Sequence, residues 1–390
     1  MKKIYILDAK RSPMGSFMGE LNSKTAVELG TDVVKSITQP VKNAAAIHEI
    51  VMGCVLPAGL GQAPARQVAV RAGLSKHIHA STINKVCGSG LKAVMMVADS
   101  VHLGRIDLGI AGGMESMSNA PYLLPKVRQG YKYGHTQLLD HMALDGLEDA
   151  YEGVSMGILA ERLAEGYAFS REAQDDYAAA STQKAQKAME TGAFVAEITP
   201  ITLDGKAPYV MDRDEGPRKA KPEKIPNLRP AFKKDGSITA ANASPISDGA
   251  AALLLGSEDS LSRHPELKPR AIIHAYASYS HDPEWFTTAP INAIQTVLNE
   301  TGWSVNDVDL FEINEAFAVV PMAAMRDLNI PTEKVNIHGG ALVLGHPLGA
   351  SGARVVVTLL HALEHHNFKK GVAALCVGGG EGVAIAIELL

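Results

Sequence analysis

The sequence predicts an α/β fold in which helices pack on a largely parallel sheet. Two observations carry that expectation. Strand-like apolar runs alternate with helix-like stretches along the chain. In addition, residues 87–113 and 349–380 each show a small-residue turn ending Ser-Gly, then a helix, then a short strand closing on glycines. With 390 residues, 46% of them hydrophobic, the chain can bury a large core and suggests two or three domain-sized units.

In chain order, residues 3–8, 50–55, 107–112, 308–313, 372–377 and 383–389 read as strands. In the first repeated helix Leu91, Val94, Met95 and Ala98 fall on one face; in the second, Ala353, Val356, Val357 and Leu360 do the same. The repeat reads as an internal duplication. Residues 118–246 carry most of the irregular segments, interrupted by a predicted helix at 171–191. Residues 206–234 are rich in proline and charge, which suits a loop-rich insertion. Within it Arg218, Lys219, Lys221, Lys224, Arg229, Lys233 and Lys234 face one acid, Glu223, over 218–234. That stretch is either a solvated loop or a docking surface for a phosphorylated ligand.

Composition narrows the function classes. The formal net charge of −5 lacks the basic excess of a nucleic-acid-binding surface. No run approaches the roughly 20 apolar residues of a membrane span. The opening MKKIYILDAKRSP offers only Ile4, Tyr5, Ile6 and Leu7 before Asp8, too few for a secretory hydrophobic region, and it reads as a strand. The final Glu-Leu-Leu is not a peroxisomal address. Cys54, Cys87 and Cys376 are too few and too far apart for a disulfide framework, a cysteine zinc site or a C-x-x-C redox pair. They fit a reducing, cytoplasmic setting.

Cys87 sits in Asn84-Lys85-Val86-Cys87-Gly88-Ser89-Gly90, just before an amphipathic pattern begins. A helix N-terminus there would favour the thiolate, the form that attacks a carbonyl; the alternative is a buried structural cysteine. Cys376 ends a strand before Gly378, where a backbone N–H can approach a ligand closely. Cys54 lacks such surroundings and reads as core. His346, held between Gly345 and Pro347, suits a positioned acid/base or a neutral surface residue. Asn314 follows a strand and reads as an oxyanion donor, an N-cap, or both.

Together NKVCGSG at 84–90, AGGMESMSNAPY at 111–122, NEAF at 314–317, GHPLGASGAR at 345–354 and CVGGGEG at 376–382 resemble the thiolase family. The segments DAKRSPMGSF, LRPAF and DGAAA resemble it too, so the likeness runs from end to end, and AGGMESMSNAPY is most similar to the acetoacetyl-CoA, biosynthetic type. The resemblance implies a thiolase fold: two duplicated βαβαβαββ halves in a five-layered α-β-α-β-α arrangement. The halves would comprise residues 1–118 with 247–268 and residues 269–390, with a coenzyme A-binding loop domain inserted at 119–246. It implies reversible condensation of two acetyl-CoA to acetoacetyl-CoA and CoA through an acyl-Cys87 intermediate. His346 would activate Cys87, Cys376 would move the α-proton, and Asn314 with His346 would form one oxyanion hole. The N–H groups of Cys87 and Gly378 would form the second. Coenzyme A contacts would fall to Leu147, Met156, Arg218, Phe232, Ala240, Ser244, Ala316 and Phe317, and the acyl pocket to Phe286 and Met114. No metal or cofactor would be required, since the CoA thioesters are substrates, and the chain would form a homodimer or homotetramer.

The sequence departs from the family pattern at Ser155, Phe286, Lys224 and His338, where His, Met, Ser and Asn are frequent. Phe286 would shorten the pocket and favour C4 substrates, though a hydrophobic pocket discriminates one methylene only about 10–200-fold. Three readings compete with an acetyl-CoA acetyltransferase. They are a broader-range 3-ketoacyl-CoA thiolase of β-oxidation, a ketoacyl synthase, and a non-catalytic acyl-CoA or lipid carrier on the same fold. A second cysteine at Cys376 disfavours the synthase, and the intact Cys87, His346, Cys376 and Asn314 disfavour the carrier.

Overall fold

A computed structural model describes residues 2–204 and 208–390. Lys206 and Ala207, at the start of the expected 206–234 loop, lie outside the described residues.

The first half begins with strand β1 (Ile4–Arg11), then α1 (Ala26–Thr38) and β2 (Glu49–Gly53). It continues through α2 (Pro64–Arg71), β3 (His79–Ile83), α3 (Ser89–His102) and β4 (Leu108–Ser116). Local sequence sets these boundaries. A capping box closes the start of α1, with Thr25 accepting from the Glu28 N–H and Glu28 accepting from that of Thr25, while Pro64 opens α2 at a position needing no N–H donor. After β4 come 130 residues that include α4 (Met156–Gly166) and α5 (Arg171–Glu190) before β5 (Ser247–Ser257) completes the half. The second half runs β6 (Ala271–Ser280), α6 (Ala289–Thr301), β7 (Leu310–Ile313) and α7 (Val319–Leu328). It ends with α8 (Leu348–His366), β8 (Lys370–Val377) and β9 (Glu381–Leu389).

The strands lie in the order β7-β8-β9-β6-β1-β5-β4-β2-β3, with a two-residue strand, Gly15–Ser16, added beside β5. The halves correspond element by element: β2, β4, β5 and β1 stand in the first half as β7, β8, β9 and β6 stand in the second. The counterpart of β3 survives as a single parallel bridge between Phe311 and Val335. The two half-sheets meet where Ile4, Tyr5 and Ile6 of β1 pair antiparallel with Ile273, Ile272 and Ala271 of β6. Helices α1 and α2 cover one outer face, α6 and α7 the other, and α3 and α8 lie between the half-sheets. This is the expected five-layered, duplicated architecture.

The expectation of a largely parallel sheet is overturned. Only β2–β3, β2–β4 and β7–β8 are parallel; the other pairs, including β4–β5, β5–β1, β1–β6, β6–β9 and β8–β9, are antiparallel. Strands β3, β5 and β6 are not among those expected from the sequence. β5, Ser-Asp-Gly-Ala-Ala-Ala-Leu-Leu-Leu-Gly-Ser, is buried along its whole length, so it has no alternation to separate it from a buried helix.

The central helices approach each other closely. A Cβ on Gly90 would lie 2.6 Å from the Ala353 nitrogen, and one on Gly352 would lie 2.3 Å from the Leu91 nitrogen. The reciprocity reflects the duplication, each glycine facing the residue that follows its counterpart. Around this contact α8 is buried from Leu348 to Leu363, not only on its expected apolar face. An alanine normally gains about 1 kcal/mol over glycine inside a helix. Gly352→Ala should instead destabilise the protein by about 3 kcal/mol or more, because the methyl meets backbone that cannot rotate away. Urea denaturation measures this, and a neutral or stabilising result would show that the helices can separate freely.

Candidate active site

Cys87 lies two residues before α3, on a strained turn. Val86 adopts φ +43°, a left-handed conformation that a β-branched residue rarely tolerates. The turn is held by local hydrogen bonds: Val86 N–H donates to Asn84 Oδ1 (2.8 Å), and the Ser89 hydroxyl donates to the Val86 carbonyl (2.7 Å). The Lys85 N–H donates in turn to Ser89 Oγ at 2.8 Å. Cys87 keeps 9% exposure, toward a cavity of roughly 340 Å³.

That cavity gathers residues from both halves and the insertion. Cys87, His346 and Gly378 line it, together with Phe286 and every expected coenzyme A contact except Arg218: Leu147, Met156, Phe232, Ala240, Ser244, Ala316 and Phe317. Phe317 stands edge-on between Phe232 and Phe286, with ring centroids 6.1 and 6.5 Å away. Ser155 also lines the cavity, and its hydroxyl caps α4 by accepting from Gly157 N–H.

Four expected residues do not line the cavity: Asn314 and Cys376, buried close to it, and Met114 and Arg218, which lie elsewhere. Met114 is fully buried on the outer face of β4, where its sulfur packs toward Gly30 of α1. Strand alternation puts its neighbours Gly113 and Glu115 on the inner face instead. The methionine of this motif that lines the cavity is Met117, in the turn after β4. Arg218 pairs with Glu20 at 2.7 Å and donates to the Asp214 carbonyl, away from the cavity.

His346 follows Gly345, which adopts φ +110°, and is 5% exposed. Its Nδ1 lies 2.6 Å from Ser351 Oγ, and that hydroxyl donates to the Pro347 carbonyl at 2.9 Å. With its one hydrogen committed there, Ser351 accepts from Nδ1–H. This assigns the lone pair to Nε2. Nε2 is buried and has no partner among the described residues. Asn314, immediately after β7, accepts from Arg354 Nη2 at 3.1 Å, and its amide nitrogen sits 3.4 Å from His346 Nδ1. No helix starts at Asn314, so its N-cap reading falls; α7 begins at Val319. The motif at 345–354 contains Ser351 and Arg354, but its local pattern does not reveal that they hold His346 and Asn314. The i to i+5 spacing from His346 into a helix start was the available signal.

Burial dominates the electrostatics. The Cys87 thiol is pushed up to about 11 by desolvation, against the lowering pull of the Gly378 and Cys87 N–H groups. The two N–H groups do favour the thiolate, as expected, but they do not offset the loss of water. Cys376, fully buried at the end of β8, is raised well above its ordinary value by burial and then by Cys87. Burial and the Arg354 charge lower His346 to about 3. The site thus holds two neutral thiols and a neutral imidazole. Cys54 is buried core, its sulfur 3.5 Å from Glu115 Oε1.

Known proteins share this fold over the whole chain. Residues 4–259 match the family description Thiolase, N-terminal domain, and residues 267–389 match Thiolase, C-terminal domain. The acetyl-CoA acetyltransferase of Saccharomyces cerevisiae is 49% identical over 395 residues, covering 99% of each chain. That of Pseudomonas aeruginosa is 46% identical over 391 residues, again covering 99% of each. Among solved structures, the Acat5 thiolase from Ascaris suum in complex with coenzyme A has 44% identity and a TM-score of 0.94, covering 100% of both chains. The Bacillus anthracis acetyl-CoA acetyltransferase has 40% identity and a TM-score of 0.97, covering 100% of this chain and 99% of its own.

A raised thiol is uncharged below its pKa, and its thiolate fraction grows as pH climbs. Alkylation of Cys87 by iodoacetamide in the free protein should therefore rise roughly tenfold per pH unit from pH 7 to 9. Peptide mass spectrometry at timed intervals reads the rate. A plateau beginning below pH 8 would mean that a thiolate–imidazolium pair exists at rest.

Proposed function

The chain belongs to the thiolase family, and from that membership and the geometry of its cavity we propose how it acts as an acetyl-CoA acetyltransferase. The observation that carries the reading is that Cys87, His346 and Gly378 open into one cavity whose remaining wall is largely apolar and fits a pantetheine arm.

In the first half-reaction His346 Nε2 takes the Cys87 proton as the sulfur attacks the carbonyl of acetyl-CoA. A carbon–sulfur bond forms to Cys87, the bond to CoA sulfur breaks, and CoA leaves with the proton from His346. The oxyanion meets the N–H groups of Cys87 and Gly378, a type of donor whose loss typically costs about 3–4 kcal/mol. In the second, His346 takes the Cys376 proton, and the Cys376 thiolate removes the α-proton of a second acetyl-CoA. Burial makes that thiolate costly and hence strongly basic, as a weakly acidic carbon requires. The enolate, held near Asn314 and His346, attacks acetyl-Cys87. Acetoacetyl-CoA leaves, and the Cys87 thiolate recovers its proton from His346. Thiolysis retraces the same steps, and concentrations set the direction.

The insertion, residues 119–246, forms the cofactor-facing domain in this reading, between a half made of residues 1–118 with 247–268 and a half made of residues 269–390. Ala231 and Phe232 line the cavity beside the exposed Arg229, Lys233 and Lys234, which supports a reading with the phosphates of coenzyme A at that rim rather than at Arg218. Three free cysteines suit a reducing, cytoplasmic compartment, and no helix of the described residues is long and apolar enough to cross a membrane. The exposed edge strand β3 gives a second copy a place to pair in a symmetric dimer or tetramer.

Three experiments test the assignment. Incubated with acetoacetyl-CoA, the wild type should carry acetate on Cys87 by mass spectrometry and Cys87→Ser should not. Cys376→Ser should still be acylated yet fail to exchange the α-hydrogens of acetyl-CoA; normal exchange would remove Cys376 from its role. Phe286→Ala should raise kcat/KM for six-carbon over four-carbon 3-ketoacyl-CoA by about 10–200-fold. An unchanged ratio would place the chain-length limit elsewhere.

A further inference from the structure

At the end of α8 farthest from His346, three histidines converge. His338 comes from the loop before Gly339, while His365 and His366 close the last turn of the helix. One ring nitrogen from each lies within 4.8 Å of the other two, and Nε2 of His338 is 3.1 Å from Nε2 of His366. Two nitrogens bound to one tetrahedral zinc stand about 3.3 Å apart. The neighbours fix the rings in this arrangement. Phe194 meets His338 edge-on at 5.8 Å, Phe368 stacks on His366 at 5.7 Å, and the His365 and His366 rings are 4.9 Å apart.

We propose that His338, His365 and His366 form a binding site for a divalent transition-metal ion, zinc being the simplest occupant, with a water as fourth ligand. Three imidazoles and no carboxylate select a borderline ion over magnesium or calcium, which demand oxygen. His338 is buried while His365 and His366 are exposed, so the site is open to solvent on one side and anchored on the other. α8 ends at His366, so the negative end of its dipole lies beside the cluster and favours a cation there.

The ion is not part of the chemistry. A 19-residue helix places this site about 28 Å along α8 from the end that holds His346. Its effect is mechanical. The loop carrying His338 also carries Asn336, whose side chain accepts from Ile313 N–H (2.9 Å) and donates to the Ile313 carbonyl (2.8 Å) and to Glu315 Oε1 (2.9 Å). Those bonds bracket Asn314. A metal at His338 would staple this loop to the far end of the helix that presents His346.

The test uses the full chain, stripped of metal by chelation and titrated with zinc by calorimetry. One equivalent should bind, and the Tm should rise by about 3 °C at a hundred times Kd. Cobalt in place of zinc should give the intense visible absorption of a tetrahedral ion, and magnesium should give no heat. His338→Asn, with the residue frequent at this turn in thiolases, and the exposed His365→Asn should each weaken zinc binding more than about 100-fold. His77→Asn, exposed and remote in sequence, should leave it unchanged. Absence of saturable binding, or wild-type affinity in either His338→Asn or His365→Asn, would overturn the proposal.

Discussion

Everything in this structure depends on how closely α3 and α8 can approach. Gly90 and Gly352 leave no room for a methyl between the helices, and the same closeness extends to the strands beside them. A Cβ on Gly53 would meet Ser89, and one on Gly113 would lie 1.9 Å from the Gly349 carbonyl. The turns before the two helices are thereby pressed together at the centre of the molecule. One of those turns carries Cys87 and the other carries His346. Glu115 fastens the junction, its carboxylate accepting from the N–H groups of Val55 (2.9 Å), Leu56 (3.1 Å) and Gly349 (2.7 Å). The chemistry is thus a consequence of packing between duplicated units, since neither half contains the set alone.

That location has an electrostatic cost which the fold meets with buried charge. Arg354 enters from α8, donates to Asn314, and lies 3.5 Å from Glu312, which burial pushes up to about 8 even so. Arg11 is fully buried between Glu197 (2.5 Å) and Asp214 (2.6 Å), and Thr358 of α8 donates to the same Glu197. Removing one partner of a buried pair typically costs about 3–5 kcal/mol, because the other charge is left uncompensated. These residues do not stabilise cheaply, but they fix the orientation of polar groups that apolar packing would leave free. A neutral thiol and a neutral imidazole suit such surroundings, since their charges appear only in passing.

The sequence made the catalytic motifs and the duplication legible because both are written in local patterns: glycines beside Cys87 and Cys376, and apolar faces at helical spacing. What it hid was relational. Met114 and Met117 sit in one motif, and only the pleat of β4 and the turn after it decide which faces the cavity. β5 reads as a featureless apolar run because it is buried on both sides, so the antiparallel centre of the sheet went unseen. Arg218 is in a basic stretch, but its partner Glu20 lies near the opposite end of the half, beyond any local pattern. Cys87 does precede a helix, as expected; its thiol is nonetheless raised, because the surrounding burial is a property of the assembled core and not of the turn.

Duplication usually yields two equivalent sites, yet here it yields one. The equivalent turns before α3 and α8 have diverged in what they carry. The first half keeps the nucleophile and, through its insertion, most of the cavity wall. The second supplies His346, Cys376 at the end of β8, Asn314 at the end of β7 and the Gly378 N–H. In the proposed mechanism, carbon is therefore held by one half while protons are moved by the other. This division explains why two cysteines can share one buried space without forming a redundant pair. Cys87 stands on a strained turn facing the cavity, where its sulfur can bond carbon, and Cys376 is sunk in a strand end with no exposure, where a thiolate is too costly to persist and so transfers its charge at once. The pseudo-symmetric helix contact sets the distance between the two roles, so both half-reactions rest on the same pair of glycines.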